Sequence, residues 1–248
     1  MNRKEKEEYF LNKLKTAIPL DNDVFAIFAR DKGFCEEFLR VILEDGNLIV
    51  IDNEPQKFIP NAYFKGVYLD MMCKLSDKRV VNVEIQLYEE KNEAKRIFYY
   101  ASMIEEAFVD KGTKYEDISD IIIIYLTKDD IFKLGSTVYD VDMEVVSDTK
   151  KIVKKWNCGL QVKYVNTVGL TNKTINEYLK LLSDNVTYNT KYKKTNDIKK
   201  DILTIDGGKR SMSVFYELTK DYYEEGVEKG IQQGMIRGED CQPYRESV

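Results

Sequence analysis

The chain has 248 residues, 43% of them hydrophobic and 33% charged, with a formal net charge of −5; this is enough chain for one sizeable core with appendages, in a composition typical of soluble globular proteins. It holds no histidine and only four scattered cysteines, Cys35, Cys73, Cys158 and Cys241, with no Cys-x-x-Cys pair. Histidine-based nucleophile activation and the usual neutral-pH proton shuttle are therefore excluded, and zinc or disulfide frameworks lose most of their support, so chemistry falls to carboxylates, lysines, tyrosines or a hard metal. No apolar run reaches membrane-spanning length and MNRKEKEEYF lacks the apolar centre of a signal peptide, so the expectation is a cytoplasmic protein with no membrane partner. The acidic balance weighs mildly against nucleic-acid binding, although a local basic patch can coexist with it.

Residues 1–16 read as a charged helix ended by Pro19. From Asp23, a candidate cap, VFAIFARDKGFCEEFLRVILEDGN has helical spacing over one or two core helices, stopped by Asp45-Gly46-Asn47. LIVID (48–52) is a short strand, followed by a loop with Pro55 and Pro60. Residues 64–75 and 80–88 form a hairpin, residues 92–111 an amphipathic helix closed by Gly112, and Ile121–Leu126 a strand buried on both faces. Helix, three strands, helix, strand describes an α/β sandwich whose last strand is reached by a helical crossover. Beyond it, TVYDVDMEVV reads as one strand, LQVKYVNT as another, TNKTINEYLKLL as a helix capped by Thr171, and KYKKTNDIKKDIL as a basic helix. GGKR (207–210) is a break before a last helix from Ser211, and Gly226, Gly230, Gly234 and Gly238 recur every four residues in the tail. That spacing suits either a frayed end or close packing against a second copy. The expected organisation is a core over 1–127, an α/β extension packed on it over 128–210, and a C-terminal helix and tail over 211–248.

The chemistry gathers in VYLDMMCKLSDKRVVNVEIQLY, residues 67–88. With a three-residue turn at Ser76-Asp77-Lys78, Leu75 pairs with Arg79, Asp70 falls opposite Glu84, and Gln86 joins their face. Leu69, Met71 and Cys73 then face the other way with Val83, Ile85 and Leu87. A two-residue turn would instead send the two acids to opposite faces. Opposed carboxylates repel unless a cation bridges them, and a hard divalent ion takes such oxygen ligands and activates water without histidine. The competing interpretation is an amphipathic hairpin whose polar face is solvated and screened by water. On the next helix, Lys95, Arg96, Tyr99 and Tyr100 place basic and hydroxyl groups where they could meet a phosphate, or simply pack.

Asp70, the Glu84-Ile85-Gln86 of NVEIQLY, and KRIFYYASMIEEAFVDKGTKYEDISDIIIIYL together resemble the Rpn family of recombination-promoting nucleases, also called PD-(D/E)XK nuclease family transposases. NDVFAIFARDKGFCEEFLRVIL, CGLQVKYVNT and EEGVEKGIQQG carry the similarity across residues 20–235. The resemblance implies a restriction-endonuclease-like α/β core (αβββαβ), DNA as partner, and Mg2+- or Mn2+-dependent endonuclease activity serving recombination or transposition-like transfer. Under it, Asp70 and Glu84 would be metal ligands together with the backbone carbonyl of Ile85. Gln86 stands where the wider superfamily has a catalytic lysine; an amide can orient water or phosphate but carries no charge. Lys65, Lys95 or Arg96 would then supply the cation, Glu37 or its neighbour Glu36 a further acid, and Tyr100 a hydroxyl. Val67 and Tyr68 occupy positions where the family often has a basic residue, which bears on substrate binding. The alternative is a catalytically silent nucleic-acid or protein-binding module of the same fold, and a homo-oligomer formed through the tail is a further expectation.

Overall fold

A computed structural model describes residues 17–61, 65–87 and 93–202, with residues 8, 12, 16, 204, 207–211 and 213. The glycine-spaced tail and most of the N-terminal helix expected over 1–16 lie outside the described residues. Two helices, α1 (Asn22–Phe28) and α2 (Lys32–Ile42), lead into strands β1 (Val50–Ile59), β2 (Val67–Leu75) and β3 (Val80–Gln86). Helix α3 (Glu93–Phe108) crosses to β4 (Ile121–Thr127), and then come β5 (Val138–Val141), β6 (Glu144–Val146), β7 (Ile152–Lys155), β8 (Leu160–Asn166), α4 (Lys173–Ser183) and α5 (Lys193–Ile202). The six-stranded sheet has the order β1-β2-β3-β4-β8-β5, and β6 and β7 form a separate two-stranded ribbon. The β1-β2 and β2-β3 pairs are antiparallel, whereas β3-β4 and β4-β8 are parallel. A parallel pair needs a long crossover, and α3 supplies it between β3 and β4.

Helices cover both faces of the sheet. Ile122, Ile124 and Leu126 of β4 pack with α1, α2 and α4, while Ile121, Ile123 and Tyr125 pack beneath Ile97, Met103 and Ile104 of α3. Every residue of β4 is buried, which is why its sequence shows no alternation. Each isoleucine taken from water there contributes about 2 kcal/mol. Strands β8 and β5 extend the same sheet, so the 128–210 segment completes the core layer as well as packing on it.

Several local expectations change. Asp23 does not cap α1; Asp21 precedes that helix, and Asp31 caps α2 by accepting from Phe34 N at 2.8 Å. The cap of α4 is Asn172, accepting from Ile175 N, while Thr171 Oγ1 accepts from Thr137 N. β1 runs through Pro55, assigned to a loop from sequence, because an edge strand tolerates a residue with no N–H. TVYDVDMEVV is split between two sheets, as β5 and β6. Residues 207–210 are helical rather than a break.

Candidate active site

The β2-β3 turn has the three-residue form. Leu75 N donates to Arg79 O at 2.9 Å, Lys78 N donates to Leu75 O at 3.1 Å, and Lys78 takes a left-handed φ of 74°, as three-residue hairpins require. The ladder then reads Lys74↔Val80, Cys73↔Val81, Met72↔Asn82 and Met71↔Val83. The next step outward sets Asp70 opposite Glu84.

Backbone pairing stops at that step, although both strands continue. β2 stays with β1 as far as Ile59↔Val67, while β3 continues beside β4 to Gln86↔Thr127. Where the strands part, Asp70 Oδ2 accepts the Ile85 N–H at 2.8 Å, so a carboxylate stands in for the missing backbone acceptor. In extended backbone the N–H and C=O of one residue point to the same strand edge, so the Ile85 carbonyl faces the β2 side too. The face alternation also breaks here. Leu69, expected beside Met71 and Cys73, packs in the α3-side core with Val67 and Met72. Across from Asp70 on β1 stands Gln56, with a φ of 48° that is uncommon for a residue other than glycine. Its Nε2 approaches Asp70 Oδ1 at 3.5 Å.

Glu84 lies under α3 and is 1% exposed. A solvated polar face, the competing interpretation of the hairpin, is therefore not what the fold builds. Glu84 Oε1 accepts from Asn82 Nδ2 at 2.9 Å, whereas Oε2 has no hydrogen-bond partner. Burial and then the Asp70 charge raise the Glu84 pKa well above the usual carboxylate range; Asn82 and Arg96 only partly offset this. Burial also raises Asp70, against the opposing pull of the Ile85 N–H and Arg96.

Among the described residues, Arg96, from the first turns of α3, is the cation that reaches the pair. Its Nη2 is 3.5 Å from Glu84 Oε2. With the Gln86 amide oxygen turned toward the guanidinium, that oxygen accepts from Nη1 and Nη2, both at 3.1 Å. Tyr100, one turn on, carries the Arg96 guanidinium over its ring at 5.1 Å, and burial plus the Glu84 charge raise its phenol pKa. Asp70, Glu84, Ile85, Gln86, Arg96 and Tyr100 are thus brought together.

The remaining candidates go elsewhere. Lys65 and Lys95 are exposed, and what Lys65 offers Tyr99 is its carbonyl. Glu37 accepts from Lys194 N at 3.1 Å, Thr195 N at 3.0 Å and Thr195 Oγ1 at 2.7 Å, so it caps the otherwise unpaired N–H groups of α5. Glu36 accepts from Val50 N and pairs with Arg40. Among the described residues no group of three or more His, Cys, Asp or Glu gathers in metal-binding geometry, so the described side-chain acids here are two. Asn82 and Gln56 were missed from sequence. Asn82, two residues before Glu84 on the same face, was within reach of the period-two count; Gln56 depends on the β1-β2 register and has no local signal.

Two adjacent strands that part between their carboxylates, set on a mixed sheet with a helical crossover, define a restriction-endonuclease-like nuclease fold. The chain belongs to the PD-(D/E)XK nuclease family transposases, whose family model matches residues 27–204. No curated protein matches the chain by sequence.

Proposed function

We propose that the protein is a metal-dependent DNA endonuclease whose cuts serve recombination or transposition-like transfer. The observation that carries this is the meeting of half-buried Asp70 and buried Glu84 at the parting of β2 and β3, with Glu84 Oε2 lacking any hydrogen-bond partner. A buried carboxylate oxygen with no hydrogen bond and only a 3.5 Å ion pair to Arg96 is left short of partners, at a cost on the order of 1–3 kcal/mol, which favours a site completed by a ligand. Two carboxylates and a carbonyl suit Mg2+ or Mn2+, which take oxygen ligands and retain waters. Asp70, Glu84 and the Ile85 carbonyl would hold the ion, which supplies a water of lowered pKa and neutralises phosphoryl charge.

The chain's own groups divide the remaining work. The Ile85 N–H fixes one Asp70 oxygen and Asn82 fixes one Glu84 oxygen, while the other oxygen of each has only a 3.5 Å approach, from Gln56 and Arg96 respectively. Gln86 holds the Arg96 guanidinium in a fixed plane, so the charge a lysine would bring arrives from α3. A guanidinium matches two phosphate oxygens at once, and its pKa keeps it charged at any working pH. The covering helix limits water around these charges and strengthens them.

Cleavage of supercoiled plasmid with Mg2+ or Mn2+, abolished in Asp70→Ala and in Glu84→Gln with the circular dichroism spectrum unchanged, tests the proposal. No cleavage with either ion across duplex and single-stranded substrates would sink it. Gln86 in the lysine position favours one second reading, a silent nucleic-acid-binding module, which the same assay separates by binding without cleavage.

A further inference from the structure

The β6-β7 ribbon takes no part in the core. It branches between β5 and β8, and every residue of both its strands is exposed. Val145, Val146, Ile152, Val153 and Trp156 are each 37–62% exposed. The register pairs Val145 with Lys154 on one face and Val146 with Ile152 on the other, so apolar groups emerge on both sides. A lone two-stranded ribbon is marginal in water, and exposed apolar patches of this kind mark interaction sites. A flat protein partner would cover one face and leave the other wet; a groove encloses both.

Charge favours a polyanionic groove. Lys150, Lys151 and Lys154 have no carboxylate partner among the described residues. Two of the four neighbouring acids are compensated: Asp142 pairs with Lys155 and Asp140 pairs with Lys163, while Glu144, opposite the Lys155 that Asp142 already holds, and Asp148, in the turn, offset part of the three lysines' charge. The major groove of B-DNA, about 12 Å wide, admits a two-stranded ribbon. The ribbon is also within reach of the acids. Glu84, Tyr125, Tyr164 and Tyr139 form one row across β3, β4, β8 and β5. Three strand spacings put Tyr139 about 14 Å from Glu84, and the ribbon leaves the sheet two residues later. One turn of duplex spans about 34 Å, so a single duplex could meet both.

We propose that the β6-β7 ribbon is a duplex-DNA arm that enters the major groove, with Lys150, Lys151 and Lys154 on the phosphates and Ile152 and Trp156, one from each face, against the base edges that line the groove. The proposal rests on DNA being the substrate of the site described above.

Trp156 is the chain's single tryptophan, so its fluorescence reports on the ribbon directly. Titration of the full chain with a 30-bp duplex in EDTA, and again with Ca2+, should quench Trp156 and shield it from iodide. Anisotropy with the same labelled duplex should show the Lys150→Ala/Lys151→Ala/Lys154→Ala variant binding at least ~10-fold more weakly, with the slope of log K against log salt reduced by about 2–3. An unchanged affinity and slope overturns the proposal, as does failure of the wild type to bind duplex. If Ile152→Ser/Trp156→Ala splits a dimer in light scattering while DNA affinity stands, the ribbon binds a second copy and the proposal is also overturned. Duplex binding that needs the three lysines, in a protein that cuts nothing with any metal, supports the arm and overturns the nuclease reading alone.

Discussion

Lys199 and the Asp70-Glu84 pair both take charge out of water, and they treat it in opposite ways. The Lys199 ammonium, on α5, donates to Leu181 O at 2.7 Å and to Asp184 O and Thr187 O at 2.8 Å. Those three bonds use every proton it has, and the carbonyls at the end of α4 gain the partners that a helix C-terminus lacks. Burial lowers its pKa, with Asp184 acting against the shift. At the acid pair, by contrast, two like charges face each other, one oxygen has no hydrogen bond, and both pKa values are raised. Complete pairing marks a structural pin. Incomplete pairing, held in place by α3, β1 and the Ile85 N–H, is what a site completed from outside the chain, as proposed above, would show.

The largest effect that would break this contrast is on cleavage. Loss of a metal ligand removes several kcal/mol of charge stabilisation, about 10³-fold at 1.4 kcal/mol per decade, so Asp70→Ala should fall at least that far in single-turnover plasmid assays while Lys199→Met stays near wild type per folded molecule. Stability should reverse the order. Lys199→Met leaves three buried carbonyls unpaired and should cost about 3 kcal/mol in urea unfolding. Next comes Arg96→Lys, which keeps a charge and loses the two-pronged contact with Gln86; a drop of about 10- to 100-fold in cleavage rate is expected, and an unchanged rate would remove Arg96 from the site.

Smaller is the stability gained by relieving the acid pair. In EDTA, Glu84→Gln should raise stability by about 1 kcal/mol near neutral pH. The sign follows from linkage: a carboxylate whose folded pKa is raised binds more protons folded than unfolded, so wild-type stability falls as pH rises from the unfolded value of about 4.3 through the folded value. Below that window Glu84 is protonated in both states and the gain from glutamine should vanish. Thermal melts at pH 4 and pH 7.5 check it, and a gain that grows on acidification would contradict the burial argument. Smallest is Gln56→Gly, which relaxes a φ of 48°. It should hold or slightly raise the melting temperature while weakening the Mn2+ dependence of cleavage a few-fold, as expected if Gln56 only steadies Asp70.

Much of the site was written locally. Ser-Asp-Lys between two alternating runs suits a three-residue turn, with a two-residue turn as the alternative, and in the three-residue form that the structure adopts side-chain period two puts Asp70, Glu84 and Gln86 in register. The seven buried residues of β4 announce a two-faced strand by themselves. Pro55 was misjudged because its tolerance depends on β1 lying at the sheet edge, and Leu69 because the alternation flips where β2 leaves β3. The choice among Lys65, Lys95 and Arg96 was beyond local reading, since it turns on which side of α3 meets the sheet. Glu37 was equally opaque: the helix start it caps lies 157 residues away in sequence. β6 was read as part of one longer strand with β5, because alternation does not say which sheet a strand joins, and β7 was not read as a strand at all.

The sequence by itself determined the α/β class, the hairpin, the opposition of Asp70 and Glu84 if the turn has three residues, and the absence of histidine chemistry, because turn geometry and side-chain periodicity act over a few residues. Tertiary structure alone decided that Glu84 is buried rather than solvated, that Arg96 rather than Lys65 or Lys95 lies beside it, and that Glu37 serves a distant helix. Burial and long-range pairing are set by which elements pack together, and that depends on the whole sheet and both of its helical layers.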